Sequence, residues 1–365
     1  MPRLQPSIPA IRGTTRTCRR AYSSSPATAT TPATSPFAPR HLMSLADLST
    51  PELTTLIRNA VAHKNSIKST NATPLPLATS LAGQTVAIMM SKRSTRTRVS
   101  TEAAIARLGG HAMFLGANDI QLGVNESLYD TSVVISSMVS AIVSRVHAHA
   151  DVAGLAKHSS VPVINALSDL YHPLQGLADY LTIFESFGGA ASGQGLGLEG
   201  LKIAWVGDAN NVLYDLAIGA MKLGVDVSVA TPKGYEIPSE MKQIILAAGG
   251  DAPNKGSLTE SNDPGEAIKR ANVIVTDTWV SMGQEDEAAK RLKAFEGFQI
   301  TKNMIDKAGA SEDWRFMHCL PRHPEEVADE IFYSPKSLVF HEAENRLWAA
   351  IAALEAFVVN KGRIL

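Results

Sequence analysis

Cysteine is almost absent: 365 residues hold two, Cys18 and Cys319. Two thiols exclude a disulfide framework and a multi-cysteine zinc site. Long hydrophobic runs are missing too. The longest well-populated charge-free apolar stretch, Thr131–Ser144, has 14 residues, whereas a membrane-spanning helix needs about 20. Neither sign of charge dominates, with 34 Lys and Arg against 35 Asp and Glu and a formal net charge of -1. Without a basic surplus to neutralise a phosphate backbone, nucleic acid is not an expected partner. What the chain does have is apolar material, 45% of its residues, which argues for a folded protein. Its length suits two domains of about 100–200 residues.

Acids are missing from one region. None precedes Asp47, and no Lys precedes Lys64, while Arg3, Arg12, Arg16, Arg19, Arg20 and Arg40 stand among Ser, Thr, Ala and Pro. Arg-rich, Ser-rich and acid-free is the composition of an organelle transit peptide. Residues 1–40 are therefore expected to be a mitochondrial transit peptide and linker, with cleavage after Tyr22 in Arg20-Ala21-Tyr22-Ser23. Removing 1–22 takes five basic residues and no acid, leaving the remainder near -6 with Cys319 as its only thiol. The reducing mitochondrial matrix suits that.

Beyond residue 40 apolar strands alternate with helices. Thr85–Met90, His111–Leu115, Ala141–Val146 and Val161–Leu167 read as strands, with helices through Glu102–Leu108 and Ser127–Ser140. A Gly-rich break covers 188–200. The alternation then resumes with strands Leu201–Val206, Val227–Thr231, Asn272–Asp277 and Arg315–Leu320, and helices Asn211–Leu223 and Ser239–Ala248. Glu342–Val359 reads as one long final helix. The fold class is α/β, with two doubly wound parallel-sheet domains and helices on both faces. The expected domains are 41–185 and 186–340, joined by a hinge near 175–200. Residues 341–365 form a helix returning to the first domain.

Ligands of such sheets bind beyond the carboxyl ends of the strands, and four polar clusters fall there. Ser91-Lys92-Arg93-Ser94-Thr95-Arg96-Thr97-Arg98 joins a strand to a helix. Helix-start amides, hydroxyls and the Arg96 fork suit an anion, although the Gly spacing of a Walker loop is missing. His172-Pro173-Leu174-Gln175 opens a helix, so that two polar side chains can converge on one small group, with Arg145 as a second candidate for it. Asp277, followed by Ser281-Met282-Gly283, offers a carboxylate and a turn to an ammonium group. Cys319, within His318-Cys319-Leu320-Pro321-Arg322, lies between two groups that could lower its pKa. Gly207-Asp208-Ala209-Asn210-Asn211 is not a dinucleotide fingerprint.

Together the four motifs resemble the aspartate/ornithine carbamoyltransferase family, and within it the ornithine branch. The resemblance runs from about residue 41 to the C-terminus. It implies transfer of the carbamoyl group of carbamoyl phosphate to the side-chain amine of L-ornithine, giving L-citrulline and phosphate, in arginine biosynthesis. By position, Ser94, Thr95, Arg96 and Thr97 would meet the phosphate, joined by Arg346 of Glu344-Asn345-Arg346. Arg145, His172 and Gln175 would meet the carbamoyl oxygen, and the backbone around Cys319 and Leu320 its amide. Asn211, Asp277, Ser281 and the Met282 backbone would hold ornithine, with Cys319, Arg145, His172 and Asp277 as the catalytic set. Glu126 would border the site from a neighbouring subunit of a homotrimer. No metal or other cofactor is implied, because arginines supply the positive field. An aspartate-directed relative would need more cation and would lack the Cys-bearing motif. A silent scaffold of the same fold would have no need of these residues.

Overall fold

The computed structural model describes residues 38–117, 126–188, 195–280 and 287–365. Ser49 starts the first long helix, α1 (Thr50–Thr70): its side chain accepts from Glu52 N while the Glu52 carboxylate returns to Ser49 N, a reciprocal capping box. There follow α2 (Leu75–Ala78), β1 (Thr85–Met90), α3 (Thr95–Arg107), β2 (His111–Gly116), α4 (Leu128–Ser136), β3 (Ala141–Arg145), α5 (His149–His158), β4 (Val163–Leu167) and α6 (Pro173–Phe187). The second half comprises β5 (Lys202–Val206), α7 (Asn211–Leu223), β6 (Asp226–Ala230), α8 (Ser239–Ala248), β7 (Leu258–Ser261), α9 (Pro264–Ile268) and β8 (Val273–Thr276). It ends with α10 (Ala288–Ala294), α11 (Lys302–Ala308), β9 (Arg315–His318), α12 (Asp329–Phe332) and α13 (Val339–Leu354).

Two all-parallel sheets result, ordered β2-β1-β3-β4 and β7-β6-β5-β8-β9. The inner strands β1, β3, β5, β6 and β8 are buried on both faces, as helices on either side require. The halves meet along α6 and α7. A Cβ at Gly219 of α7 would lie 2.3 Å from the Tyr180 ring of α6, so only glycine allows this approach. The Tyr180 hydroxyl donates to Leu216 O at 2.5 Å across the same seam. The final helix packs on α6, α3 and α1, returning to the first half as expected.

Several boundaries differ from the sequence reading. Helix α3 begins at Thr95 rather than near Glu102, because Ser94 caps it. Helix α6 is continuous through Phe187, so the hinge expected near 175–200 cannot lie in 175–187. Helix α4 stops at Ser136, short of Ser140. Strands β8 and β9 end at Thr276 and His318, leaving Asp277, Cys319 and Leu320 just past the sheet. The last helix starts at Val339, which puts Arg346 two turns inside it rather than at its opening. Helices α1, α2, α5 and α9–α12 and strand β7 were not anticipated.

Candidate active site

Each sheet changes direction once. In the first, β1 has β2 on one side and β3 on the other; in the second, β5 stands between β6 and β8. The carboxyl ends at such switch points form crevices, and the polar clusters occupy both of them. At the first, Met90 pairs with Arg145 at the strand ends. Ser94 Oγ accepts from Thr97 N at 3.3 Å and donates to Thr97 Oγ1 at 3.1 Å, fixing the first turn of α3. Amides of that turn have no acceptors within the helix and carry its positive dipole end. Thr97 is buried, Ser94 and Arg96 are half-buried, and Thr95 is exposed.

At the second crevice Asp277 stands at its centre. Its Oδ1 accepts from Cys319 Sγ at 2.9 Å and its Oδ2 from Asn210 Nδ2 at 2.8 Å. Asn210 Oδ1 meanwhile caps α7 through Val212 N and Leu213 N, so one side chain both starts the helix and aims the carboxylate. Asn211 donates from Nδ2 to Ser168 O at 2.5 Å, reaching into the loop before His172.

The crevices face each other. Arg96 Nη2 donates to Leu320 O at 2.5 Å, directly bridging the halves. Arg145, His172 and Arg346 are buried, and all three lie within electrostatic reach of Arg96. Burial, then the Arg346 charge, lowers the pKa of Arg145 to about 10; burial lowers that of Arg346 likewise to about 10. Both guanidiniums therefore remain charged near neutrality. Burial and the three arginines push His172 well below its ordinary value, so its imidazole is neutral. Arg145 Nε, Arg346 Nε and Nη2 and His172 Nδ1 are buried without a protein partner. Buried polar groups in native proteins are nearly always satisfied. Unpaired guanidinium donors beside a neutral imidazole are suited to a small, highly charged anion.

Beneath this cluster lies a carboxyl pair. Gln175 Nε2 donates to Asp179 Oδ1 at 2.7 Å and to Glu342 Oε1 at 2.8 Å, while its Oε1 accepts from Arg346 Nη1 at 2.7 Å. The sequence reading made Gln175 a donor to the carbamoyl oxygen. Its amide hydrogens are both engaged elsewhere, and the group it turns to the site is its carbonyl, an acceptor for an N–H. Glu342 Oε2 accepts from His318 N at 2.9 Å, linking the pair to the turn after β9. Burial raises Asp179 to about 7 and, with the Asp179 charge, holds Glu342 well above its ordinary value. A folded-state pKa raised from 3.8 gives stability that is complete below that value and is lost as pH rises toward about 7. Asp179→Asn removes this loss while keeping the acceptor for Gln175. The difference in melting temperature, variant minus parent, is expected to grow more positive from about pH 5 to about pH 8. A pH-independent difference would show that Asp179 does not titrate there.

The turn after β9 is held by His318. Its Nδ1 accepts from Leu320 N at 2.9 Å and its Nε2 lies 2.9 Å from Glu326, which fixes the tautomer with the proton on Nε2. Leu320 adopts φ 63°, a left-handed conformation costing about 1–3 kcal/mol for such a residue. Its amide to His318 and its carbonyl to Arg96 offset that strain. Asp277, His318 and Cys319 bring one donor atom each within 4.8 Å of one another, but both imidazole nitrogens of His318 already have partners.

The sequence expected His318 and Arg322 to lower the Cys319 pKa. The opposite holds: burial, then the Asp277 carboxylate, pushes the thiol well above its ordinary value. Arg322 points away to Asp329 and Val327 O. Ser281 and Met282 lie outside the described residues. Glu126 directly precedes Ser127, the cap of α4. The structure adds Asn210, Asp179, Glu342, Asp215 and Glu326 to the residues that shape the site; of these only Asn210, at a helix start, carried a local signal.

Two parallel α/β halves whose strand ends enclose arginines, a neutral histidine and a thiol–carboxylate pair define a transferase that acts on a small anionic group donor. Residues 40–185 match the carbamoyl-P binding domain of the aspartate/ornithine carbamoyltransferases, and residues 199–357 their Asp/Orn binding domain. The chain belongs to this family. It is 67% identical over 348 residues to the mitochondrial ornithine carbamoyltransferase of Aspergillus niger, covering 95% of this chain and 94% of that protein. With the ornithine carbamoyltransferase of Saccharomyces cerevisiae it shares 47% identity, over 91% of this chain and 98% of that one. Among solved structures, the mitochondrial ornithine carbamoyltransferase of Coccidioides immitis superposes with a TM-score of 0.84 at 63% identity, covering 90% of this chain and all of that one.

Proposed function

We propose that this chain is a mitochondrial ornithine carbamoyltransferase, making L-citrulline and phosphate from carbamoyl phosphate and L-ornithine in arginine biosynthesis. The observation that carries the reading is the convergence of Arg96, Arg145, Arg346 and neutral His172 on the Cys319–Asp277 pair across the cleft. Residues 41–185 bind carbamoyl phosphate, 186–340 bind ornithine, and 341–365 return to the first domain. Ser94, Thr95, Arg96, Thr97 and Arg346 hold the phosphate. Arg145 and His172 donate to the carbamoyl oxygen, where charge grows as the amine attacks. The carbamoyl amide donates to Gln175 Oε1 and to the carbonyl side of the Cys319–Leu320 turn. The C–N bond forms, the C–O bond to phosphate breaks with its electron pair, the proton shed by the newly bonded nitrogen passes to the departing phosphate, and the departing charge is met by Arg96 and the α3 amides. Fixed donors of this kind each lower the barrier by about 3–4 kcal/mol.

Ornithine lies against Asn211, Asp277, Ser281 and Met282. Its side-chain amine, with a pKa of about 10.4 in water, must lose a proton to attack. Asp277 is the acceptor at hand. Cys319 is a thiol donating to Asp277, so it orients the pair rather than acting as a thiolate base.

A homotrimer is supported by exposed apolar side chains of the first half on α3, β2 and α4 and just beyond it: Val99, Met113, Tyr129, Val133, Val134 and Met138. Such side chains suit burial against another copy. The test of the activity is citrulline formation by the purified protein offered ornithine, putrescine or aspartate in parallel. Carbamoylation of ornithine alone is expected; preference for either other amine would assign the chain to a sister activity.

A further inference from the structure

Asp215 lies in α7, in the second half, yet it touches the first half three times. Its Oδ2 accepts from His172 N at 2.7 Å, and its Oδ1 from Leu45 N at 2.7 Å and from Ser44 Oγ at 2.8 Å. Ser44 Oγ itself accepts from Ala46 N at 3.1 Å, which turns its hydrogen toward Asp215. All three partners are therefore donors, and the arrangement is complete with an ionised carboxylate. The carboxylate is wholly buried, and none of these partners is cationic. A charge buried in this way is a cost to stability, and burial raises its pKa to about 7.

The geometry at His172 shows what that cost accompanies. His172 is the cap residue of α6, at φ -139° and ψ 64°, but its side chain does not cap the helix. The imidazole is thereby released toward the arginines, and the backbone N–H faces Asp215. The seam is tight here as well: a Cβ on Gly176 would lie 2.8 Å from Leu45 Cδ1 and 3.4 Å from Asp215 Cβ. One turn earlier, Asn211 of the same helix holds Ser168 O in the loop leading to His172.

We propose that Asp215 is a positioning residue: through the His172 amide it sets the imidazole in the carbamoyl cavity, and it joins that histidine to the helix whose first turn carries the ornithine-side Asn211. This rests on the function proposed above. It follows that loss of the Asp215 clamp lowers turnover by misplacing His172, with little effect on the phosphate contacts at Ser94–Thr97.

The test is a double-mutant cycle of Asp215→Asn and His172→Ala in the full chain, with kcat expressed per active site titrated with a bisubstrate analogue. An Asn retains one acceptor but must turn its NH2 toward a donor. His172→Ala alone is expected to lower kcat about 10²–10³-fold. Asp215→Asn alone is expected to lower kcat at least about tenfold, with KM for carbamoyl phosphate within about threefold. In the His172→Ala background the same substitution should cost less than about twofold, because the group it positions is gone. Equal losses in both backgrounds would mean a general structural role and overturn the proposal, as would unchanged kcat in Asp215→Asn while His172→Ala is impaired. If His172→Ala keeps full turnover, the site assignment itself fails and the proposal with it. Should Asp215→Asn not fold, Ser44→Ala strips one donor from the same carboxylate and serves in the same cycle. Its smaller loss must likewise vanish without His172, and a persisting loss would overturn the proposal.

Discussion

Arg96→Ala is expected to lower kcat/KM for carbamoyl phosphate by about 10²–10³-fold, the range seen when one preorganised donor to developing charge is removed. The guanidinium starts from the first turn of α3, where helix amides already favour an anion, and reaches across to Leu320 O at 2.5 Å. It therefore acts twice. In the proposed mechanism it places positive charge on the phosphate that leaves, and its bond to Leu320 O ties the α3 end of the cleft to the turn carrying Cys319. Arg96→Lys should recover only part of the loss, because an ammonium keeps the charge but not the planar fork that serves two oxygens. Steady-state kinetics with carbamoyl phosphate varied would show the effect in both kcat and KM. Kinetics equal to those of the parent protein would remove the loop from the mechanism.

Asp277→Asn has a comparable expected effect on the other substrate. The carboxylate accepts from Cys319 Sγ on one oxygen and from Asn210 Nδ2 on the other. An amide in its place offers one acceptor and sets an NH2 against one of those donors. It also removes the group proposed to take the proton of the attacking amine. A fall of about 10²–10³-fold in kcat/KM for ornithine is expected, in the range of general acid–base contributions, with carbamoyl-phosphate affinity nearly unchanged. Affinity measured by titration in the absence of ornithine separates the two. A loss confined to carbamoyl-phosphate binding would reverse the division of labour between the halves.

The parallel sheets were legible because strands buried on both faces are short, continuous apolar runs such as TVAIMM in β1 and KIAWV in β5. Helix α1 was missed although Ser49 and Glu52 spell a capping box. Its 21 residues spread their apolar positions thinly among Thr, Asn, Ser and Lys. Strand ends slipped by one or two residues because apolar side chains continue past the last ladder bond, as at Cys319 and Leu320.

At the site, residues that touch one another in short motifs could be read, and those that meet only through the fold could not. Asp215 is 43 residues from His172, and Glu342 is 167 from Gln175. No spacing rule connects them. Adjacency even misled at Cys319, whose chain neighbours His318 and Arg322 turn to Glu326 and Asp329 while burial, and then a distant carboxylate, raise the pKa of the thiol. The orientation of the Gln175 amide was equally hidden, since it is decided by two buried carboxyls and Arg346.

The arginine-lined end of the first sheet is expected to grip an acyl phosphate while the second sheet presents the amine of a diamino acid to it. A crystal structure with a phosphonate bisubstrate analogue tests both halves of that statement at once. The phosphonate is expected on Arg96 and the Ser94–Thr97 turn, the carbonyl oxygen beside Arg145 and His172, and the amino-acid end against Asn211 and Asp277. A phosphonate bound away from Arg96, or a cleft in which His172 and Asp277 face different cavities, would contradict it.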